Sequence, residues 1–333
     1  MLSVAFLGCA HIHTNDYLQA LQQRPDMQIV AMWDHDINRA NEYAQRVGCS
    51  AAQTIDEVLT NDLIDAVIIC SETVHHNDLV RATVATRKPL FVEKPLGMRA
   101  DEAQRIADVI EHADVLFQTG YFLRYHPSYQ LLQQNIQQGH FGTITHVHCA
   151  LNHSGLLGGW FDDEWRWMAD PAQAGLGAFG DLGVHMLDVL LWMFGPAERV
   201  TADVATLTGR YGTIDEYGSG ILRFQNGLQA TLTAGWVDFA NPISLIVQGT
   251  EGAASLTKEQ LHIQTALNDS VTEPVANPPR SIDALNALLD TLTGQTSAPL
   301  IQPREAALRN QLVEALYRGA HHQRWVFLDE LAS

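Results

Sequence analysis

Lys94 follows the apolar run Leu90-Phe91-Val92 and Glu93, and precedes Pro95. A lysine at the carboxyl end of a strand sits where ligands bind in an open α/β sheet. It can stabilise negative charge developing on an oxygen, or relay a proton if burial lowers its pKa. Pro95 restricts the backbone at its own φ and biases Lys94 toward an extended conformation. A second reactive pair lies in Asp181-Leu-Gly-Val-His185. Positions i and i+4 share one helix face. A histidine there can take a proton from an alcohol near neutral pH, and the aspartate can orient substrate or support the charged imidazole. Gly175, Gly177 and Gly180 precede the pair and allow the backbone to approach something flat. Taken singly, each residue has a plainer role: a lone helical histidine is more often structural, and a strand-end lysine is usually solvated.

The elements that must position these residues come in two styles. Up to residue 121, short apolar runs alternate with helical patterns. Strands are expected at Val4–Leu7, Met27–Trp33, Ala66–Cys70, Leu90–Val92 and Val115–Phe117, with helices at Tyr17–Gln23, Ile37–Val47, Leu79–Ala85 and Ala100–His112. Continuous apolar strands in a β-α rhythm predict a doubly wound parallel sheet, a Rossmann dinucleotide-binding domain over 1–121. Beyond it, helices fit Pro127–Gln138 and Gly183–Phe194. Strands then follow one another around 144–151, 200–207, 218–224, 228–236 and 243–248, with the hairpin turn Asn226-Gly227 between two of them. This predicts an α+β domain over 122–333 with a largely antiparallel open sheet. Leu222, Phe224 and the alternating residues from Leu228 to Trp236 predict a sheet face that would be costly to expose. A loop at Pro274–Pro279 leads to helices over Ile282–Leu292 and Arg304–Tyr317.

Composition narrows the partners. The chain has 333 residues, 46% apolar and 17% charged, which suits a well-packed globular protein of two domains. A formal net charge of −18 argues against nucleic acid and anionic lipid as partners, since both need a basic face. No apolar run reaches the roughly 18 residues of a membrane span. The segment Met1–Gly8 reads as a strand and not as a signal peptide. Cys9, Cys49, Cys70 and Cys149 are scattered without a Cys-x-x-Cys pair, which fits a reduced, cytoplasmic protein.

Gly8-Cys9-Ala10-His11-Ile12-His13 stands where a dinucleotide fold places its phosphate turn. The first glycine is present, and Ala10 and His13 replace the other two. Ala10 is small enough for a pyrophosphate to approach, and backbone N–H groups at the helix start can bind it. Asp34 ends the second strand, where a carboxylate can accept ribose hydroxyls and repel a 2′-phosphate, favouring NAD over NADP. Arg39 nearby could instead serve NADP. His11, His13, His75 and His76 cluster in sequence, but no spacing matches a defined zinc site, and no metal is expected. Trp160, Trp165 and Trp167, with Arg166 among them, suit either sugar stacking and hydrogen bonding or core packing.

Together these motifs resemble the Gfo/Idh/MocA oxidoreductase family, which contains glucose-fructose oxidoreductase and inositol 2-dehydrogenase. Glu93-Lys94-Pro95 and the Asp-x-Gly-x-His motif ending in His185 match its signatures. Thr119-Gly-Tyr-Phe-Leu-Arg-Tyr-His-Pro127, His76, Phe224-Gln-Asn-Gly227 and Gln248-Gly-Thr-Glu-Gly252 are similar to its other conserved stretches. The resemblance covers essentially the whole chain. It implies a catalytic set of Lys94, Asp181 and His185. It implies that Gly8, Ala10, His11, Ile12, Asp34, Ser71, His76, Glu93 and Lys94 bind the cofactor, NAD before NADP. Substrate contacts are expected from Tyr121, Arg124, Trp165, Arg166, Asp181 and His185, although Arg124 better suits packing at a domain junction, with substrate contact second. The Lys94–Pro95 bond is expected to be cis. Two departures fall near the expected substrate pocket: Phe122 stands where Asn is frequent, and Leu176 interrupts a glycine stretch.

The implied activity is an NAD(P)-dependent dehydrogenase acting on a secondary alcohol of a sugar or cyclic polyol. Two alternatives are an NAD-using glycosidase that works by transient oxidation and a non-catalytic dinucleotide-binding sensor. The second predicts loss of catalytic residues, and here all three are present. The resemblance also implies a homodimer or homotetramer formed through the C-terminal sheet.

Overall fold

The computed structural model describes residues 1–266, 270–275, 279–295 and 298–331. The middle of the expected Pro274–Pro279 loop lies outside them. The chain clusters into two compact units. The first comprises Met1–Tyr121, Asp162–Gly175 and Ser281–Asn310, and the second Phe122–Phe161, Leu176–Arg280 and Gln311–Ser333. Two later segments therefore join the first unit, where a single boundary after Tyr121 was expected.

In the first unit, β1 (Leu2–Leu7), β2 (Met27–Trp33), β3 (Ser50–Ala51), β4 (Ala66–Ile69), β5 (Leu90–Val92) and β6 (Phe117–Thr119) form a parallel sheet in the order β3-β2-β1-β4-β5-β6. Val4–Leu7 and all of β4 and β5 are buried, as continuous apolar strands covered on both faces must be. The strand order reverses direction between β1 and β4, so their carboxyl ends open the crevice where such sheets take ligands. Gly8 leaves β1 at φ +85° with its N–H donating to the Trp33 carbonyl at 2.7 Å. β6 starts two residues later than the sequence pattern suggests. Asp114 closes the preceding helix in the left-handed region and Leu116 is exposed. β3 is too short to show a periodicity.

In the second unit, β7 (Ile144–Asn152), β8 (Ala197–Ala205), β9 (Tyr217–Phe224), β10 (Gln229–Gly235), β11 (Ile243–Gly249), β12 (Gly252–Leu256), β13 (Gln260–Thr265), β14 (Ser270–Pro274) and β15 (Val326–Phe327) form one sheet. Its order is β14-β13-β12-β11-β7-β10-β9-β8-β15. Neighbours run antiparallel except β7 and β10, which pair in parallel. Gly227 turns the β9–β10 hairpin at φ +87°.

The helix Ala178–Phe194 lies on this sheet, against β7, β9 and β10. It corrects one expectation. Leu222, Phe224, Leu228, Leu232 and Trp236 are buried within the unit and do not form an open face. The Phe194 and Phe224 rings meet at 6.2 Å, and Gly183 allows the helix to approach Leu232. The opposite face instead carries the half-buried Ile221, Arg223, Thr231 and Thr233. The segment Pro171–Phe194 is, by length and composition, apolar enough to cross a membrane, although no uninterrupted apolar run in it reaches a span. However, 78% of its apolar window is buried inside the protein, the environment of a core helix.

The Gly8 turn gives the first prediction. A Cβ there would lie 2.5 Å from the Ser71 Cα, in a backbone conformation that side chains resist. Gly8→Ala is expected to lower stability by about 2–4 kcal/mol in urea unfolding. An unchanged midpoint would contradict this packing.

Candidate active site

The crevice end of the first unit is organised around Glu93, which has no exposed surface. Its Oε1 accepts from the Tyr17 hydroxyl and from His13 Nδ1 at 3.0 Å, with His11 Nδ1 at 3.7 Å. Its Oε2 accepts the Lys94 N–H at 2.9 Å. Gly120 passes so close that a Cβ would meet Oε2 at 2.6 Å. Burial opposes the charge on Glu93, but His11 and His13, helped by Lys94, outweigh it and hold the carboxyl well below the usual range. Burial and the neighbouring Glu93 push the Tyr17 phenol the other way, so it stays a donor.

Lys94 is itself buried, 3% exposed, at the end of β5. The Lys94–Pro95 bond is cis, as the resemblance implies. More than proline fixes this stretch. His76 Nδ1 donates to the Pro95 carbonyl at 3.0 Å. Asn310 accepts the Leu96 N–H at 3.2 Å and donates to the Gly97 carbonyl at 2.6 Å. Burial lowers the His76 pKa, keeping the ring neutral.

Along the turn after β1, the His11 N–H donates to the Cys70 carbonyl at 3.0 Å, and the His13 N–H to His11 Nδ1 at 3.2 Å. Trp167, from the segment that returns to this unit, donates its indole N–H to the Ala10 carbonyl at 3.0 Å. Gly8, Ala10, His11, Ser71, His76, Glu93 and Lys94 thus gather at the sheet's carboxyl ends, with Ile12 half-buried beside them. Gly8, with its required left-handed turn at the switch point, fits the phosphates of a dinucleotide. Two of the expected residues are already engaged by the protein itself. Glu93 accepts from Tyr17, His13 and the Lys94 N–H, and holds the turn and the first helix to β5. Asp34 is buried, and its carboxylate is already engaged by Cys9, Asp36 and Arg39.

In the second unit, Asp181 and His185 lie on the helix Ala178–Phe194. Trp236 Nε1 donates to Asp181 Oδ2 at 3.0 Å. His185 is 3% exposed, and the Phe122 ring packs on it with centroids 4.8 Å apart. Gly177, the residue before this helix, offers no capping side chain. Asp215 and Tyr317 do the capping from outside. Asp215 Oδ2 accepts the Phe179 N–H at 2.8 Å, and its carbonyl accepts the Ala178 N–H at 3.0 Å. Tyr317 accepts the Gly177 and Gly180 N–H groups and donates to Asp215 Oδ1 at 2.9 Å. A negative group there also opposes the helix dipole. Burial raises the Asp215 pKa against those donors.

This accounts for the glycines differently from the sequence reading. A Cβ on Gly177 would overlap Asp215 at 1.9 Å, one on Gly180 would crowd Tyr317 at 3.0 Å, and one on Gly175 would meet the Met98 carbonyl at 2.8 Å. They make room for protein and not for a flat ligand.

The substrate residues expected from sequence fare unevenly. Arg124 is buried in an ion pair with Asp188, its Nε 2.9 Å from Oδ2, and lies 5.7 Å from the Trp192 ring. The pair anchors the helix, which agrees with the packing role expected of Arg124. Tyr121 is buried. Arg166 is exposed, and Trp165 is half-buried, with an indole N–H that has no hydrogen-bond partner. Among the described residues, His11, His13 and Glu93, and separately His35, Glu72 and His75, stand close enough to hold an ion. Tyr17, Asp215, Tyr317 and Asn310 had no sequence signal, because each acts across a long chain separation.

Known proteins resemble the chain throughout. Residues 2–121 match the oxidoreductase-family model described as an NAD-binding Rossmann fold, and residues 129–255 match the Gfo/Idh/MocA C-terminal domain. The chain belongs to the Gfo/Idh/MocA oxidoreductase family. Inositol 2-dehydrogenase of Ralstonia nicotianae is 30% identical over 211 residues, covering 61% of this chain and 57% of that one. Inositol 2-dehydrogenase of Rhizobium meliloti is 25% identical over 264 residues, covering 78% and 77%. For three of the curated relatives, the match spans only about half of their length, 50%, 49% and 57%. The solved structure of levoglucosan dehydrogenase, complexed with NADH and levoglucosan, shares the fold with a TM-score of 0.86. It is 18% identical, with 98% of this chain and 99% of that one covered.

Two predictions follow from the buried groups of this family member. Glu93 stays ionised in the fold at a pH where the unfolded chain has already bound a proton. Its contribution is therefore present above the ordinary carboxylate pKa of about 4.3 and is lost as pH falls below it. Glu93→Gln should flatten the acid limb of a stability–pH profile; an unaltered limb would contradict the charge assignment. Tyr317→Phe removes one hydroxyl that serves three groups and should cost about 1–2 kcal/mol in thermal unfolding. No shift would show that the helix start is held otherwise.

Proposed function

We propose that the protein is an NAD-dependent dehydrogenase acting on a secondary alcohol of a sugar or cyclic polyol. The observation that carries this reading is the Asp181–His185 pair, one turn apart on a buried helix and braced by Trp236 and Phe122. It stands in a chain that also places a buried lysine at the end of β5. The nicotinamide, when bound, accepts or returns the hydride. His185 removes the hydroxyl proton, Lys94 stabilises the oxygen left negative, and Asp181, oriented by Trp236, holds the hydroxyl and imidazole in register. Asp34 and Glu72 place negative charge at the end of β2 and β4, which favours NAD over NADP. The inositol dehydrogenases among the relatives support a polyol substrate.

A cytoplasmic setting suits four cysteines that are all free, three of them buried. A homodimer or homotetramer would use the half-buried sheet face around Ile221 and Thr231, since the apolar face is already covered.

Dialysed protein screened with NAD and NADP against inositols, aldoses and glucosides tests the reading by NADH absorbance. NAD reduction with a polyol or sugar is expected. Lys94→Ala and His185→Ala should each lower kcat by roughly 10²–10⁴-fold, and His185→Ala should change NAD affinity by less than about threefold. No turnover with any of these compounds, together with an unchanged Lys94→Ala protein, would refute it. Sugar release without net NADH would point to the glycosidase alternative, and NAD binding without turnover to the sensor.

A further inference from the structure

Asp34 is the acid from which the sequence predicts ribose recognition, yet its acceptors are occupied. Oδ2 takes the Cys9 N–H at 2.7 Å and Arg39 Nε at 2.8 Å. Oδ1 takes the Asp36 N–H at 2.9 Å and Arg39 Nη2 at 2.8 Å. A carboxylate offers about four lone-pair sites, and four donors fill them. Asp34 therefore ties the turn after β1 to Arg39 and has little left for a ligand.

Glu72 stands across the turn, just past the end of β4. Because β1 lies between β2 and β4, Asp34 and Glu72 flank the Gly8–Ala10 turn from its two sides. Arg39 bridges them, with Nη2 2.9 Å from Glu72 Oε1. The second oxygen, Glu72 Oε2, is buried and makes no hydrogen bond. The imidazole of His35 stands 3.6 Å from it, 45% exposed, with its ring 4.7 Å from that of His75. An exposed ring can swing away and uncover the oxygen. A buried carboxylate oxygen lacking a donor is an incomplete arrangement, because charged acceptors are costly to leave unsatisfied. Vicinal hydroxyls supply the missing donors. A phosphate supplies only further negative charge.

The charge balance points the same way. Two carboxylates share one guanidinium, and both Nε and Nη2 of Arg39 are committed to them. Arg39 is thus held as part of an anionic cluster and is not presented to a 2′-phosphate.

We propose that Glu72 is the specificity-determining acid of the cofactor site: its Oε2 receives the adenosine ribose hydroxyls, and its pairing with Arg39 excludes a 2′-phosphate. This rests on the NAD reading above and deepens it. It makes Asp34 a positioning residue and Glu72 the residue that touches the ribose.

Calorimetric titration of the apo protein with ADP-ribose and with 2′-phospho-ADP-ribose tests this without turnover. Wild type should prefer ADP-ribose. Glu72→Gln removes one negative charge from the cluster and weakens the acceptor. It should weaken ADP-ribose and narrow the preference by at least about tenfold. Glu72→Asp keeps the charge but withdraws the oxygen by one methylene. It should weaken ADP-ribose while 2′-phospho-ADP-ribose stays excluded, and it carries the test if Glu72→Gln fails to fold. Unchanged ADP-ribose affinity and preference in either folded variant would overturn the assignment to Glu72 and leave the NAD reading standing. A wild type that binds both compounds equally would overturn it too. A wild type that binds neither would instead remove the NAD reading and this assignment together.

Discussion

Keeping the Glu93 carboxylate charged with no exposed surface is possible only because the neighbouring groups all turn toward it. Tyr17 comes from the first helix, His11 and His13 from the turn after β1, and Lys94 from the residue that follows. Removing any one leaves a buried anion short of a partner, the costly direction of such changes. The same contacts fix where the turn runs relative to β5. The position of Lys94 and the shape of the phosphate turn are therefore one constraint. Gly120 shows how tight it is, since no side chain fits between it and Glu93.

The second unit solves a related problem with its own carboxylate. The helix bearing Asp181 and His185 begins at a glycine and so lacks a capping side chain of its own. Asp215 and Tyr317 supply the acceptors from distant parts of the chain. Arg124 and Asp188 then lock the helix about three turns further on. His185 is buried under Phe122, and such packing suits the proton-transfer role proposed for it.

The doubly wound sheet was legible because its strands are continuous apolar runs punctuated by helices. The mixed sheet was legible only in outline, since the parallel β7–β10 pairing joins segments far apart in sequence. Lys94, Asp181 and His185 could be named because their motifs are local. The residues that hold them could not. Asp215, Tyr317 and Asn310 act across long separations and leave no spacing to read. The partners of Arg124 and Asp34 were hidden for one shared reason: sequence shows a charged group but not whether a buried partner engages it. The glycines before Asp181 were similarly ambiguous, because a close approach looks the same whether a ligand or a side chain comes near.

The account turns on Glu93 acting as the buried anion that shapes the cofactor turn. NADH binding, followed by its fluorescence in wild type and in folded Glu93→Gln, tests this most directly. The account predicts at least about tenfold weaker NADH binding, since a neutral amide cannot hold His11, His13 and Tyr17 together. Equal affinity in the two proteins would contradict it.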